Sequence, residues 1–360
     1  MARSGLTSRL LNGVSKAILG VRENPSRDLG DLRSMIVIRQ HNQLGDLIAS
    51  VCLFRAIRET YPGIRLTVVV SPANAAAVLK NEFIDHVVVF DKKRLLNPAY
   101  FIRFLRVLRA GYDAALTPVT VSLSYTSDLL ARLTKAKTRI GAKRLEGKTN
   151  ESAYFYDRRV ELDWRDEAPK SVSDKGLDVV RPFGIEATTL QAVVTFDDDD
   201  RRVARGFLDE LEGEGPIVGA HVGAGKKPNI WAAEYFADAL GALKLERNAR
   251  VYFTGSRADA EAIEAVSERL GFAPPVFRNR TINEVAALID ASDLFVSNDT
   301  GVMHVAGATS TPLIAIFGPT DPRVWAPVGE SNRYVRNSDN VNDVSAREVL
   351  ELANRLLDAR

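Results

Sequence analysis

The chain has 360 residues, which at roughly 100 to 200 residues per domain predicts about two domains. Its composition, 46% hydrophobic and 26% charged, is that of a soluble globular protein and excludes wholesale disorder and fibrous repeats. Because 48 basic residues nearly balance 46 acidic residues, the net charge is only +2, which argues against non-specific nucleic-acid binding as the main role.

Cysteine usage and hydropathy predict a cytoplasmic protein. Cys52 is the single cysteine, so the chain cannot form an internal disulfide, and its four scattered histidines give no zinc-type cluster. No apolar run approaches the roughly 18 to 20 residues of a membrane span. The first 22 residues also lack the apolar core and cleavage site of a secretory signal.

Residues 1–34 form an N-terminal extension that starts with a basic amphipathic pattern. Residues 1–22 contain no acid, and their basic and apolar side chains recur at helical spacing. These side chains are Arg3, Arg9, Lys16 and Arg22, and Leu6, Leu10, Val14 and Ile18. Such a helix can lie on an anionic membrane surface, here the cytoplasmic face of the inner membrane. The alternative is a helix packed on its own domain or a frayed tail, which the helix-weakening Gly13 and Gly20 favour.

From Met35 onward, short β-branched runs alternate with longer helical periods, which predicts parallel βα units. The strands expected in the first half are residues 35–39, 66–70, 87–90 and 114–116. The helical patterns between them lie near residues 46–60, 73–80, 97–109 and 124–134. The strand at 66–70 is apolar throughout, which suits a sheet covered on both faces.

The pattern loosens between about residues 135 and 200, and we place the domain boundary within 182–200. The two domains then span residues 35–190 and 191–335, followed by a closing helical segment at 336–360. The acidic run at 197–200 predicts a helix start, where carboxylates accept backbone N–H bonds and oppose the helix dipole.

The second half repeats the alternation of strand and helix. The expected strands are residues 217–222, 251–254, 294–297 and 313–317. The helical patterns lie near residues 232–245, 257–270, 281–290, 301–309 and 344–357. The sequence therefore predicts an α/β protein with two doubly wound, Rossmann-like domains. Open parallel sheets bind ligands at the carboxyl ends of their strands, so we expect the active site in a central cleft that both domains face.

In the first half, Gly45 and Asp46 lie where the first strand passes into a helix. A carboxylate at a helix N-terminus is kept ionised by the helix dipole and can act as a general base toward an acceptor hydroxyl. The alternative for Asp46 is a helix N-cap with no catalytic role. His41 in the same loop is a second candidate base, although a lone loop histidine is more often structural.

In the second half, the segment 297–304 comes directly after a strand and directly before a helix. The backbone amides of Thr300 and Gly301, together with the helix dipole, could hold a diphosphate. His304, one turn further on, could donate to a phosphate oxygen. Asp299 would repel phosphate at close range, so we assign it to N-capping or to sugar hydroxyls. The alternative is an ordinary capped helix with a buried histidine.

Residues 221–228 form a glycine loop with two lysines after another strand. The loop fails as a Walker phosphate loop because Ala220 replaces the first required glycine and Lys227 replaces the Ser or Thr after Lys226. The loop also lacks the third glycine of a dinucleotide fingerprint. The loop is then a flexible one with Gly223 and the two ammonium groups of Lys226 and Lys227, which suit neutralisation of a diphosphate leaving group. The alternative is that the two lysines are exposed and have no role.

Two further loops follow strands of the second half. In the first, Gly255 precedes Asp259, which could bind a ribose hydroxyl or simply oppose the helix dipole in a first turn. The second is the rigid turn at Gly318, which as a bare turn is unspecific.

Together these motifs resemble the heptosyltransferase-like glycosyltransferases of family 9, whose members have the two-domain GT-B fold. The resemblance covers about residues 35–358. It rests on residues 36–39 leading to Leu44-Gly45-Asp46, on residues 221–224 with the downstream Trp231, and on residues 297–304 continuing to Phe317-Gly318-Pro319-Thr320-Asp321-Pro322.

The resemblance implies inverting transfer of a sugar, commonly heptose from ADP-heptose, to a lipopolysaccharide core or related cell-envelope glycan, with no metal or other cofactor. The resemblance implies that Asp46 is the catalytic base. Donor contacts are implied for the sugar and diphosphate at Asp299, Thr300, Gly301 and His304, with adenine and ribose near the Gly255 loop. The residues expected to bind the donor are Gly223, Lys226, Lys227, Gly255, Asp259, Asp299, Thr300, Gly301, His304 and Gly318.

The sequence departs from the family pattern at Asn229, where members often carry a lysine two residues before the tryptophan that matches Trp231. Lys226 or Lys227 would then supply that charge from elsewhere on the loop. The departure also makes a second function conceivable: a nucleotide-sugar-binding protein of the same fold without catalysis. A nicotinamide-dependent oxidoreductase is disfavoured by the missing glycine fingerprint.

Positive charge in the first half suggests an acidic, lipid-linked acceptor. The residues assigned to acceptor binding are Lys92, Lys93, Arg94, Lys143 and Arg144. The alternative for these charges is a solvated surface.

Overall fold

The computed structural model describes residues 13–359. These residues form two compact units, of which the first takes in the chain up to Asn42 and from Ser50 to Thr189. The second unit consists of Gln43–Ala49 and the chain from Leu190 onward. A short internal segment therefore belongs to a different unit from the chain on either side of it.

Strands and helices alternate along both units. The strands are β1 (Ser34–Arg39), β2 (Arg65–Val70), β3 (His86–Val89), β4 (Ala114–Leu116), β5 (Thr138–Leu145), β6 (Lys148–Thr149), β7 (Arg158–Leu162), β8 (Ile217–His221), β9 (Arg250–Gly255), β10 (Val276–Arg278), β11 (Leu294–Asn298), β12 (Leu313–Ile316) and β13 (Asn332–Val335). The α-helices are α1 (Leu44–Ala49), α2 (Val51–Thr60), α3 (Pro98–Leu108), α4 (Tyr125–Leu133), α5 (Val172–Leu177), α6 (Asp198–Leu208), α7 (Ala233–Arg247), α8 (Ala260–Leu270), α9 (Ile282–Asp290), α10 (Gly301–Ala306), α11 (Pro322–Trp325) and α12 (Ala346–Asp358). Short 3₁₀ turns include Ala75–Val78, Lys92–Arg94, Lys227–Asn229 and Arg257–Asp259.

The first unit is built on a sheet with the strand order β3-β2-β1-β4-β5, in which every neighbouring pair is parallel. Strand β5 continues the sheet by pairing with β7 in parallel and with the short β6 in antiparallel orientation. Helices α3 and α4 cover the same face of the sheet, because both pack into one core cluster with Ile36 and Ile38 of β1.

The first half differs from its predicted elements in two helices and in the segment after residue 135. The single helix expected at 46–60 is divided into α1 and α2 at Ser50, and the helix expected at 73–80 is only a 3₁₀ turn. Strands β5 and β7 were not predicted, because basic side chains interrupt their apolar pattern.

The second unit contains a parallel six-stranded sheet with the order β10-β9-β8-β11-β12-β13. Its expected strands all occur, with ends that differ by one residue at most, whereas β10 and β13 were not predicted. Helix α12 packs its buried Val349 and Ala353 into the core formed by β8, β9 and α7.

Local side-chain bonds fix several helix starts. Asp197 caps α6 and forms a capping box with Asp200, which confirms the helix start predicted from the acidic run. Thr281 with Glu284 begins α9 in the same way. Such caps satisfy backbone N–H groups that a helix start leaves without partners.

The described part of the N-terminal extension belongs to the first unit. Residues 13–19 are helical, and the chain then runs beside β7, where Val21 N donates to Tyr154 O at 2.9 Å and Asn24 N donates to Asp157 O at 2.7 Å. The predicted amphipathic pattern at residues 1–12 lies outside the described residues. Within residues 13–359, none of the helices has both the length and the apolar character needed to cross a bilayer.

Candidate functional site

The loops of the second unit meet where its strand order changes direction, between β8 and β11. Open α/β sheets bind ligands at such a switch point. Asn298, at the end of β11, joins the two strands by donating from Nδ2 to Val222 O at 2.8 Å. Its Oδ1 accepts a bond from the backbone N–H of Trp231 at 3.1 Å. Asn298 therefore holds the glycine loop against the strand that leads into α10.

Asp299 is a partly buried carboxylate with two side-chain partners. Its Oδ2 accepts bonds from Asn229 Nδ2 at 2.9 Å and from the Thr320 hydroxyl. Burial raises the pKa of Asp299, while the Thr320 hydrogen bond and the charge of Lys226 act in the opposite direction. The expectation that Asp299 caps the helix is wrong, because Thr300 occupies the N-cap position of α10.

The start of α10 is accessible in part. Thr300 has extended backbone geometry, and within the described chain its side chain makes no capping bond. Thr300 and Gly301 are both half-buried. The hydroxyl of Thr300 and the first amides of α10 thus remain available at the carboxyl edge of the sheet.

Helix α1 packs directly on α10. Gly301 faces Leu44, whose Cβ would lie 3.2 Å from a Cβ built on the glycine. Gly45 lies against the imidazole of His304, with 2.5 Å between the ring Cδ2 and the position of a Cβ on residue 45. Ile48, one turn further along α1, is buried in the core of the second unit. These contacts fix α1 to α10, the helix that follows the expected donor-binding residues Asp299 and Thr300.

Asp46 is buried in the first turn of α1 and therefore belongs to the second unit. This differs from the expectation that the base and the donor residues lie in different halves of the protein. The physical reason is that the apolar side chains of α1, Leu44 and Ile48, pack on the second unit. Asp46 is also not the N-cap of a helix, since α1 begins at Leu44.

His304 is buried under α1 rather than exposed at the edge of the sheet. Desolvation lowers the pKa of His304 from 6.5 to about 4, so the imidazole is neutral at physiological pH. The expected phosphate contact would therefore involve a neutral N–H donor and not an imidazolium.

The expected donor-binding glycines each have a close neighbour within the second unit. A Cβ on Gly223 would lie 2.1 Å from Asp259 Oδ1, and one on Gly255 would lie 2.6 Å from Ile263 Cδ1. A Cβ on Gly318 would lie 2.7 Å from the backbone N of Val341. Packing within the unit is thus a sufficient reason for glycine at these positions: the neighbour is backbone at Gly318 and a side chain at Gly223 and Gly255.

Asp259 and the two lysines differ in their environment. Oδ2 of Asp259 accepts bonds from the Ser256 backbone N–H at 2.7 Å and from the Ser256 hydroxyl at 2.8 Å. This capping box matches the first-turn alternative stated for this aspartate. Lys226 and Lys227 are exposed, and Lys226 acts electrostatically on Asp299.

In the first unit, the carboxyl edge of the sheet is cationic around His41. Arg39 Nη1 lies 3.3 Å from Nδ1 of His41. Burial, followed by the charges of Arg39 and Lys92, lowers the pKa of His41 to about 4. His41 is thus neutral and lies in a positive field, which does not favour a cationic imidazole as product of proton transfer.

The residues expected to bind the acceptor lie at two places on this unit. Lys92, Lys93 and Arg94 form an exposed 3₁₀ turn just after β3. Lys143 and Arg144 lie toward the end of β5, where Lys143 Nζ is 3.5 Å from Glu161 Oε1. Strands β3 and β5 are four positions apart in the sheet, so the two basic groups are separated by about 19 Å at about 4.8 Å per strand.

Sequence reasoning missed the bonds that hold Asp299. Thr320 is 21 residues from Asp299 and Asn229 is 70 residues away. Asn229 stood out only as a departure from the family pattern, and Thr320 only as part of a turn. Neither residue carries a local signal of its contact with a carboxylate, because the contact depends on strand order.

The chain was compared with known proteins. Residues 101–353 match the family model for glycosyltransferase family 9 (heptosyltransferase). Lipopolysaccharide heptosyltransferase 3 of Escherichia coli is 23% identical over 298 residues, which are 79% of this chain and 83% of that protein.

Two solved structures share the fold. The family 9 glycosyl transferase of Veillonella parvula superposes with a TM-score of 0.79 at 20% identity, covering 94% of this chain and 100% of that chain. The ADP-heptose lipopolysaccharide heptosyltransferase II of E. coli gives a TM-score of 0.74 at 21% identity, covering 91% of this chain and 99% of that one. These structures confirm a GT-B fold with two Rossmann-like sheets.

The family model covers well over half of the chain. The protein therefore belongs to glycosyltransferase family 9 and is a glycosyltransferase.

Proposed function

We propose that this enzyme transfers a sugar, with heptose from ADP-heptose as the expected donor, to an acidic lipid-linked glycan such as a lipopolysaccharide core. Transfer is proposed to invert the anomeric carbon and to need no metal. One observation carries the proposal: Asp46 is fixed, through α1, to the helix that follows Asp299 and Thr300. A candidate base and the candidate donor residues therefore share one unit.

The proposed reaction is a single displacement. A carboxylate oxygen of Asp46 takes the proton of an acceptor hydroxyl, and that oxygen attacks the anomeric carbon on the face opposite the diphosphate. The bond between the anomeric carbon and the phosphate oxygen breaks, and the nucleoside diphosphate leaves. Lys226, Lys227 and the amides at the start of α10 are proposed to compensate its negative charge, which the exposure of the two lysines supports.

The donor assignment rests on similarity and on the site. Heptosyltransferase 3 and heptosyltransferase II are named for heptosyl transfer to lipopolysaccharide, and the latter for ADP-heptose. In this chain, Asp299 is held by Asn229 and Thr320 through Oδ2, an arrangement suited to a carboxylate that accepts bonds from sugar hydroxyls.

The basic edge of the first unit supports an acidic acceptor. Lys92 and Arg39 create a positive field around His41, which attracts phosphate or carboxylate groups. Replacing Lys143 and Arg144 together by Ala is expected to raise the KM for the acceptor about tenfold without changing donor affinity. An unchanged KM would remove these two residues from the acceptor site.

Asp46→Asn tests the catalytic assignment. Loss of a general base is expected to lower kcat by about 10² to 10⁴, while the affinity for ADP stays the same. Asp238→Asn, an exposed aspartate on α7, is the matched control and should transfer sugar at the normal rate. Normal transfer by Asp46→Asn would disprove the role of this residue.

A thermal-shift panel tests the donor separately. Ligand at about 100 times its dissociation constant stabilises the folded protein by about 2.7 kcal/mol. We expect this shift with ADP, a larger one with ADP-heptose, and none with GDP or UDP. A response to GDP or UDP alone would keep sugar transfer but change the nucleotide.

A further inference from the structure

We propose that the outer face of α3 and the turn that precedes it form a docking surface for an anionic lipid bilayer. The observation behind it is a group of large apolar side chains exposed on this short stretch. Leu96 is 95% exposed, Phe101 43% and Ile102 49%. Single exposed apolar residues are normal on protein surfaces, whereas here three large ones occur within seven residues of chain, at positions 96, 101 and 102.

The same stretch is basic throughout. Residues 92–112 contain no aspartate or glutamate. Their basic side chains are Lys92, Lys93, Arg94, Arg103, Arg106 and Arg109, and all of them are exposed. Apolar side chains that enter the lipid and arginines that reach the headgroups are the composition of an interfacial helix. The charge is complementary to anionic lipid.

The exposed side chains of α3 belong to a helix that is firmly packed on the first unit. Tyr100, Phe104 and Leu108 are buried in the core of the first unit on the opposite side of α3. The Tyr100 hydroxyl donates to Val89 O at 2.9 Å and accepts from Asp91 N at 2.7 Å, which ties α3 and the basic turn to the end of β3. The exposure of Phe101 and Ile102 is therefore a property of the packed helix.

Neighbouring elements extend this surface on the same face of the sheet. Helix α4 packs into the same core cluster as α3, and its first residue, Tyr125, is exposed. The helical residues 13–19 lie against α4, where the Ser15 hydroxyl is 3.2 Å from the Tyr125 hydroxyl. Val14 and Ile18 of that segment are exposed as well. Exposed apolar side chains thus occur on α3, on α4 and on the helical segment that contacts α4.

Docking through α3 would bring the cationic edge of the sheet to the membrane. The turn Lys92–Arg94 joins α3 to β3 and lies close enough to His41 for Lys92 to affect its pKa. An acceptor anchored in the bilayer would then meet the basic edge at the level of the headgroups. The docking surface itself does not depend on the identity of the sugar or the nucleotide.

The test measures co-sedimentation of the full-length protein with vesicles that contain no glycan. One set is phosphatidylcholine alone, and the other contains about one quarter phosphatidylglycerol. We expect binding to the anionic vesicles only. Phe101→Ser with Ile102→Ser should weaken binding about tenfold or more, because the apolar insertion is lost. Arg103→Gln with Arg106→Gln should weaken it about 30-fold, since each charge near the surface contributes about a factor of five.

Matched controls separate this surface from general effects. Leu245→Ser removes an exposed leucine from α7, and Arg205→Gln with Arg355→Gln removes two exposed arginines from the second unit. Both controls should bind vesicles like the unaltered protein. All variants should keep the thermal shift with ADP, which shows that they are folded and reports on the donor site independently.

Several results would overturn the proposal. They are equal binding to neutral vesicles, normal binding by both α3 double variants, or loss of binding when only residues 1–12 are deleted. Binding that requires a protein partner and not lipid would assign the surface to that partner instead.

Discussion

The imidazole of His304 occupies the space that a side chain at position 45 would need. A Cβ built on Gly45 would lie 2.5 Å from Cδ2 and 2.8 Å from Nε2 of His304, distances that real Cβ atoms do not adopt. His304 is held in the core on α10, whereas Gly45 precedes Asp46 in α1. The closeness of these two residues therefore sets the position of the candidate base, Asp46, relative to α10.

Gly45→Ala is expected to displace α1 and to lower kcat about 100-fold, the effect of a misplacement of about 1 Å at a catalytic group. ADP affinity, measured by calorimetry, should change far less than kcat. Gly63→Ala is the control, because its added Cβ meets no described atom within 4 Å. Combining Gly45→Ala with His304→Ala should recover part of the activity. Normal turnover by Gly45→Ala alone would contradict the positioning role.

The buried His304 should make the stability of the protein depend on pH. Its pKa is about 4 in the folded state and 6.5 in the unfolded state, so only the unfolded chain binds a proton between these values. The unfolding free energy is therefore unaffected by His304 above pH 6.5 and falls as the pH decreases toward 4. At pH 5 the loss amounts to about 2 kcal/mol.

Urea denaturation at pH 7.5 and pH 5 measures this effect. The loss of unfolding free energy between the two pH values should be smaller for His304→Gln than for the unaltered protein, by about 2 kcal/mol. The exposed His86, replaced by Gln, serves as the control. If the unaltered protein and His304→Gln lose the same unfolding free energy between pH 7.5 and pH 5, the burial of a neutral His304 does not cause the pH dependence of stability.

Asn229 and Thr320 should affect recognition of the sugar more than recognition of the nucleotide. Both side chains donate to Oδ2 of Asp299, and loss of one hydrogen bond to a charged group costs about 1.5 to 3 kcal/mol. Asn229→Ala and Thr320→Val are each expected to raise the Kd of the nucleotide-sugar at least about tenfold, while the Kd of the bare nucleotide stays unchanged. Asn354→Ala, which alters a contact with Arg247, is the control. Equal losses for both ligands would place Asp299 near the diphosphate.

Removal of divalent cations should leave the reaction intact. Lys226 is close enough to Asp299 to act on its charge, and we expect Lys226 and Lys227 to supply the positive charge that a metal would otherwise provide for a diphosphate. Initial rates with EDTA should equal those with added Mg²⁺. A rate that falls in EDTA and returns with Mg²⁺ would show that the lysines are insufficient.

The strands of both parallel sheets could largely be predicted because buried strands consist of uninterrupted apolar residues. The strand at residues 114–116 occurs with the predicted bounds. Strand β5 was missed, since Arg139, Lys143 and Arg144 break its apolar pattern and its burial depends on neighbours distant in sequence. The α-helix expected at 73–80 is wrong for the opposite reason: its apolar residues suit a helix, but only a 3₁₀ turn at Ala75–Val78 forms there.

The candidate donor-binding segment 297–304 and the candidate base Asp46 could be singled out from sequence because each follows a predicted strand. Their association could not be predicted. It depends on Leu44 and Ile48 packing in the core of the second unit, although both lie between segments of the first. Likewise, the sequence did not predict that Thr300 takes the N-cap position while the Asp299 carboxylate bonds to Asn229 and Thr320, which are distant in sequence.

The path of the chain through α1 limits how this enzyme can be divided or recombined. The chain passes from one unit to the other after Asn42, after Ala49 and after Thr189. A fragment that starts at Leu190 would lack Asp46 and would leave the sites of Leu44 and Ile48 open to solvent. In a hybrid that takes residues up to 189 from one parent and the rest from a relative, α1 of the first parent would have to pack on α10 of the second. Exchange of the second unit between such enzymes therefore requires that residues 43–49 be exchanged together with it.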